Sequence, residues 1–160
     1  MVKPKMPHRV IAHADSWYVQ YARMHRSFER MKIESSSMEE YEDAVYHFFQ
    51  DAWHLKDWLK HDPNISASVK SRIEADLRTQ QSLCAAADIA NGSKHVELPN
   101  SRVGAKISER RVNVYIGEIC RVKHERRIEI GSSGTSITAD NLAKNVIKEW
   151  NVLLKRYGLA

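Results

Sequence analysis

Asp88-Ile89-Ala90-Asn91-Gly92-Ser93-Lys94-His95 stands where a long helical pattern stops and a basic, strand-like region begins. Upstream, Val69, Ile73, Leu77, Cys84 and Ala87 form an apolar stripe that runs into Asn91 and His95. Residues three or four apart share a helix face, so Asp88, Asn91 and His95 can reach a common ligand if the helix continues through them. An apolar seam therefore turns polar at one end of a bundle. Gly92 as a left-handed cap, with Lys94 and His95 on the last carbonyls, would account for this without chemistry. Otherwise His95, Asn91, Asp88 and Lys94 are the candidate catalytic residues.

Working outward, the first residues, 1–14, hold two prolines and no sustained period, which predicts an N-terminal arm. Asp15 or Ser16 offers an N-cap, and Trp17, Tyr21, Met24, Phe28 and Met31 follow in steps of four and three, predicting a helix over 15–33. Its flanks carry Arg23, His25, Arg26, Glu29, Arg30 and Lys32. Ser37 with Glu40 three places on is a capping box that opens a second helix over 37–61. Tyr41, Ala44, Val45, Phe48, Ala52, Leu55 and Leu59 make its buried face. Pro63 follows Asp62 in a turn, and a third helix is predicted over 66–91.

The second helix carries Asp43, His47, Gln50, His54, Asp57 and His61 on one polar arc, with Phe49, Trp53 and Trp58 flanking it. Histidines seven apart lie about 10 Å from each other, too far to share one ion, so no metal is expected. Asp51-x-x-His54 has di-iron spacing but lacks a second copy. A contact surface for a second copy or a protein partner, through His47, His54 and Trp58, is the better use of this face.

After Pro99 the period changes to alternation. Val112, Val114 and Ile116 point one way, and Ile128 and Ile130 repeat the pattern. The region 100–131 is expected to form a β-hairpin turning near 123–126, with a further strand around 103–107. Gly131-Ser132-Ser133-Gly134 reads as a flexible connection. Thr138 then caps a last helix over 138–157, with Leu142, Val146, Ile147, Trp150, Leu153, Leu154 and Tyr157 inward and Gly158 beyond its end. The fold class expected is mainly α: one domain, 1–160, built as a four-helix up-down bundle with a β-hairpin or small antiparallel β-meander inserted before the last helix.

The formal charge of +5 is unevenly spread. Between Arg102 and Arg127 eight Lys or Arg stand against three acids, so that this segment alone carries a net +5. Arg110, Arg111, Arg121, Lys123, Arg126 and Arg127 are the candidate nucleic-acid contacts, because a basic ribbon is the usual footprint of such a partner. Solubilising charge on an exposed edge is the plainer use of the same residues. No run approaches the ~18 apolar residues of a membrane span, and Met1 to Pro7 lack the apolar stretch of a signal peptide. A cytoplasmic protein with no membrane partner is expected. Cys84 and Cys120, without metal spacing, read as reduced thiols.

The spacing Ala90-Asn91-x-x-x-His95 resembles the Arg-Asn-x-x-x-His motif of HEPN domains, helical bundles in which Arg and His at the end of a late helix cut RNA in many members. Here Ala90 stands at the arginine position. The resemblance covers this motif and the order of helices. It implies a helical bundle and, where the motif is complete, metal-independent cleavage: the histidine moves a proton at the 2′- or 5′-oxygen while the guanidinium steadies the phosphate. Antiparallel packing would bring Arg26 and Arg30, on the end of the first helix, near His95 as replacements.

Two functions follow. One is an interaction module without robust catalysis that contacts nucleic acid through the basic hairpin. The other is an endoribonuclease using His95 with an arginine from Arg26, Arg30 or a second subunit. Neither calls for a cofactor.

Overall fold

The computed structural model describes residues 16–34, 37–93, 101–116, 122–132 and 134–159, with the backbone alone for 113–116 and 122–126. The predicted arm over 1–14, Asp15 and Cys120 lie outside the described residues. The elements are α1 (Trp17–Met31), α2 (Met38–His61), α3 (Ala67–Arg78), α4 (Gln81–Gly92), β1 (Lys106–Ile116), β2 (Val122–Ser132), β3 (Thr135–Thr138) and α5 (Ala139–Arg156). The chain is mainly helical, with a small antiparallel sheet of order β1-β2-β3 before the last helix.

Local signals start the helices where the sequence indicates. The Ser16 side chain accepts from the Tyr18 N–H, Ser37 and Glu40 form both halves of the capping box, and Thr138 accepts from the Asn141 N–H. Each satisfies N–H groups that a helix start leaves without partners. Gly158, at φ 72°, follows α5 in the left-handed conformation, which costs glycine little.

Helix α2 is the hub. It packs against α1, α3, α4, α5 and β2, and buries Phe48, Phe49, Ala52, Trp53, Leu55 and Leu59. Phe49 and Trp53, expected beside an exposed contact face, belong to this core. Helix α1 runs antiparallel to α2: the Trp17 N–H donates to Asp62 past the end of α2, and Ser27 donates to Asp51 further back. Helix α5 runs the same way as α2, with Tyr41 donating to Asp140 and the Trp150 indole to the Ala52 carbonyl.

The helix expected over 66–91 is two helices. α3 is amphipathic and buries only Ile73 and Leu77, whereas α4 buries every residue from Leu83 to Ala90. The change in burial coincides with a change of direction. The chain breaks at Gln80 (φ −103°, ψ 105°), and α4 turns into the interior. Alanines at 85, 86 and 87 let neighbouring helices approach closely. Gln80 makes no side-chain cap, so the carboxylate of Glu149, on α5, accepts from the Ser82 and Leu83 N–H groups instead.

The sheet also departs from expectation. Residues 123–126 lie within β2, in register with Tyr115, Val114, Asn113 and Val112 on β1 in that order, so the hairpin closes earlier, between Ile116 and Val122. Lys106 and Ile107 begin β1 itself and make no separate strand around 103–107. The third strand is Thr135–Thr138. Gly131 and Ser132, read as flexible, pair with Ser136 and Thr135. Gly134, at φ 82°, takes the left-handed conformation just before β3, which costs glycine little. Ile128 and Ile130 face the core.

The sheet is tied to α4 by Asp88. Its carboxylate is 1% exposed and accepts from the Ser101 hydroxyl (2.9 Å) and from the N–H groups of Arg102 (2.8 Å), Val103 (2.8 Å) and Ala105 (3.3 Å). A buried N–H left without a partner costs roughly 1–3 kcal/mol. Asp88→Ala is therefore expected to lower stability by about 3 kcal/mol or more in urea unfolding, against about 0.5 kcal/mol or less for Lys32→Ala, whose partner Glu29 is exposed. Equal losses would show that the Asp88 cradle does not hold the sheet.

His25 sets a pH dependence. Its ring packs on Tyr21 at 4.6 Å, and its buried Nε2 has no partner among the described residues. Burial pushes its pKa below the ordinary 6.5, Glu29 acting against that and Lys32 with it. The unfolded chain therefore takes up more protons as pH falls below 6.5, and the stability owed to neutral His25 is lost from there down through the lowered folded value. Urea unfolding at a series of pH values is expected to give a flatter profile below about pH 6.5 for His25→Phe than for the wild type. Identical profiles would remove His25 as the cause.

Candidate functional site

The end of α4 docks on the middle of α2. Ser93 donates to the Ala90 carbonyl (2.7 Å) and accepts from the Gln50 amide (2.8 Å). Ala90, at the arginine position of the motif, is buried, and Asn91 is half-buried in the last turn. Lys94 and His95 lie outside the described residues. Asp88 spends its carboxylate on the backbone before β1, as described above, and is a structural anchor. Of the four candidate catalytic residues, the described pair, Asp88 and Asn91, thus divide between a filled cradle and the helix end.

Gln50 also lines a polar cavity of about 290 Å³ between α1 and α2, together with Arg23, Arg26, Ser27, Arg30, His47 and Asp51. The arginines recur at the three- and four-residue steps of one helix face and stand in a row on α1. Among the described residues neither Arg26 nor Arg30 forms an ion pair. The one carboxylate in the lining is held by neutral groups: Asp51 accepts from Ser27 (2.6 Å) and from the amide of Gln20 (3.2 Å). Arg23 donates to the Gln20 carbonyl oxygen (2.9 Å) and lies over the Trp58 ring, 5.5 Å from its centroid. Three guanidiniums against one carboxylate make a concave, cationic site fit for an oxyanion.

The hairpin arginines are in a different state. Arg110 makes a two-pronged pair with Glu42 of α2, Arg111 pairs with Glu109 (2.7 Å), and Arg127 with Glu129 (2.5 Å). The bond to Glu42 raises the Arg110 pKa, and the bond to Glu109 that of Arg111. Glu129 is held below its ordinary value, by the Ser136 hydroxyl first and by Arg127, against its own desolvation. Counting charge between Arg102 and Arg127 missed Glu42 and Glu129, which lie outside that segment. Arg121 and the side chains of Lys123 and Arg126 lie outside the described residues.

Of the expected contact face, His47 is exposed, while His54 and Trp58 are half-buried. His47 lines the same cavity as the arginine row and Trp58 lies under Arg23, so residues picked out separately in the sequence meet here. Arg23 is the member that sequence reasoning left without a role, although its spacing to Arg26 and Arg30 was a usable signal. Among the described residues no group of three or more His, Cys, Asp or Glu is placed to hold a metal ion. Among the described residues no helix is long and apolar enough to cross a membrane. Compared with family models, curated proteins and solved structures, the chain matches none.

Proposed function

We propose that this protein is a HEPN-like helical module that binds the phosphate backbone of RNA in the cavity between α1 and α2, without robust catalysis. The observation that carries the reading is the lack of ion pairs at Arg26 and Arg30 among the described residues, in a concave site with one carboxylate already hydrogen-bonded to neutral donors. An arginine already paired with a carboxylate has its charge largely neutralised before a phosphate arrives, whereas these exchange only water and counterions. The hairpin, where Arg110, Arg111 and Arg127 are paired, is the weaker contact.

Ribonuclease chemistry is the second reading, and the Gln50–Ser93 hydrogen bond favours it. That bond ties the helix end preceding His95 to the cavity holding Arg26 and Arg30. In such an enzyme the histidine takes the proton from the 2′-hydroxyl, the 2′-oxygen attacks phosphorus, and the 5′-oxygen leaves, giving a 2′,3′-cyclic phosphate. A guanidinium beside the phosphate stabilises the charge that develops.

Fluorescence anisotropy with labelled RNA over a salt series separates the two surfaces. The double change Arg26→Gln and Arg30→Gln is expected to weaken binding about tenfold or more and to reduce the salt slope by about 0.7 for each phosphate no longer neutralised. The triple change Arg110→Gln, Arg111→Gln and Arg127→Gln is expected to do less. The opposite order would return the site to the hairpin.

Wild type and His95→Ala, incubated with RNA in EDTA and analysed for end groups, decide the chemistry. Intact RNA in both is the expected result. Cyclic phosphate ends from the wild type alone would establish the ribonuclease.

A further inference from the structure

A second cavity lies beside the arginine row. Its volume is about 400 Å³, and it is lined by Asp57, Trp58, His61 and Pro63. His47, His54 and Trp58 fall on one face of α2, and the distance from His47 to Trp58 along the helix is about 16 Å. Arg23 joins the two cavities: it lines the first and lies over the Trp58 ring that lines the second. The chemistry divides along this length. One end offers guanidiniums; the other offers an indole, a proline ring and a carboxylate.

A ligand matched to both ends carries anionic groups and, beside them, flat rings that stack. An acidic peptide without aromatic side chains supplies the first without the second. A bare phosphate fills one end only. A double helix keeps its bases stacked inside and has none to offer to Trp58. Resting on the phosphate-binding reading above, we infer that the cavity between α1 and α2 and the cavity beside Trp58, linked by Arg23, together hold single-stranded RNA, with phosphates on Arg23, Arg26 and Arg30 and a base stacked against Trp58 in the second cavity. A cationic groove that follows the backbone, together with an aromatic stacking platform, is a sequence-tolerant way to hold a single strand. The roughly 16 Å of α2 between His47 and Trp58 suits about four nucleotides, the short end of such sites. A cavity of this volume is ample for one nucleobase.

The test compares three probes, labelled single-stranded RNA, duplex RNA of the same sequence and inorganic polyphosphate, on wild type, Trp58→Ala, Trp58→Phe and the double Arg26→Gln, Arg30→Gln variant. The wild type is expected to prefer the single strand to the duplex. Trp58→Ala is expected to weaken the single strand about tenfold, in the range of alanine substitutions at stacking platforms, leaving its salt slope unchanged. Trp58→Phe should recover most of that loss. Polyphosphate should still bind both Trp58 variants, losing far less than the single strand does, which also shows that each is folded, and should be weakened by the arginine variant. Single-strand affinity unchanged in Trp58→Ala, with the arginine variant still impaired, would overturn the two-cavity site and leave the phosphate site standing. Equal affinity for single strand and duplex would also overturn it. A wild type that binds none of the three would overturn both.

Discussion

The carboxylate of Asp88 meets the Ser101 hydroxyl and three backbone N–H groups between Arg102 and Ala105. A buried carboxylate is tolerated only when its lone pairs are filled, and buried N–H groups only when they have an acceptor. Each side of the cradle therefore requires the other. Its position on α4 fixes where the chain must return, so β1 begins at Lys106 beside that helix, and the Ser132 hydroxyl closes the far strand on the Val103 carbonyl (2.5 Å). Once the strands are set, Ile128 and Ile130 face the core and Arg110 falls opposite Glu42. The Arg110–Glu42 pair thus follows from the cradle, whereas Arg111 and Arg127 pair with Glu109 and Glu129 two residues away on their own strands.

Much of the helical part was legible because its signals are local. Ser16, Ser37 with Glu40, and Thr138 act within three or four residues of themselves, and the stripes of α1, α2 and α5 follow the helical period. What was not legible depends on partners far along the chain. The break at Gln80 has no proline or glycine to mark it; it is set by α4 being surrounded and by Glu149 arriving from α5 to cap it. Trp53 looked exposed because it sits off the main stripe of α2. It is buried where Arg102, from the stretch held by Asp88, covers its ring at 4.6 Å. Gly131 and Ser132 looked like a linker, yet a short strand of Thr135, Ser136, Ile137 and Thr138 was enough to recruit them into pairing.

The same division applies to the site. Spacing alone showed that the α4 stripe turns polar near Asn91, and that Arg26 and Arg30 are candidates to stand near its end. Spacing could not show that Asp88 is already committed to a backbone loop, since its partners come after it in a stretch with no recognisable period. Nor could a charge count along the ribbon distinguish paired from unpaired guanidiniums. The ribbon has more positive charge in sequence, and α1 has the more available charge in space.

Availability on α1 is protected by a neutral residue. Gln20 is fully buried between Asp51 and Arg23, its amide nitrogen donating to Asp51 and its oxygen accepting from Arg23. A glutamate there would neutralise Arg23 directly. With Gln20 in place, and Ser27 on the other carboxylate oxygen, Asp51 is satisfied by groups that carry no charge. The carboxylate then helps pack α1 on α2 without drawing the arginines inward, and their guanidiniums are left lining the cavity. A neutral amide between two ions costs little when both of its ends are bonded, since neither end is left unpaired in the interior. The packing of α1 on α2 and the free charge at the cavity are therefore one solution, and Gln20 is the residue that reconciles them.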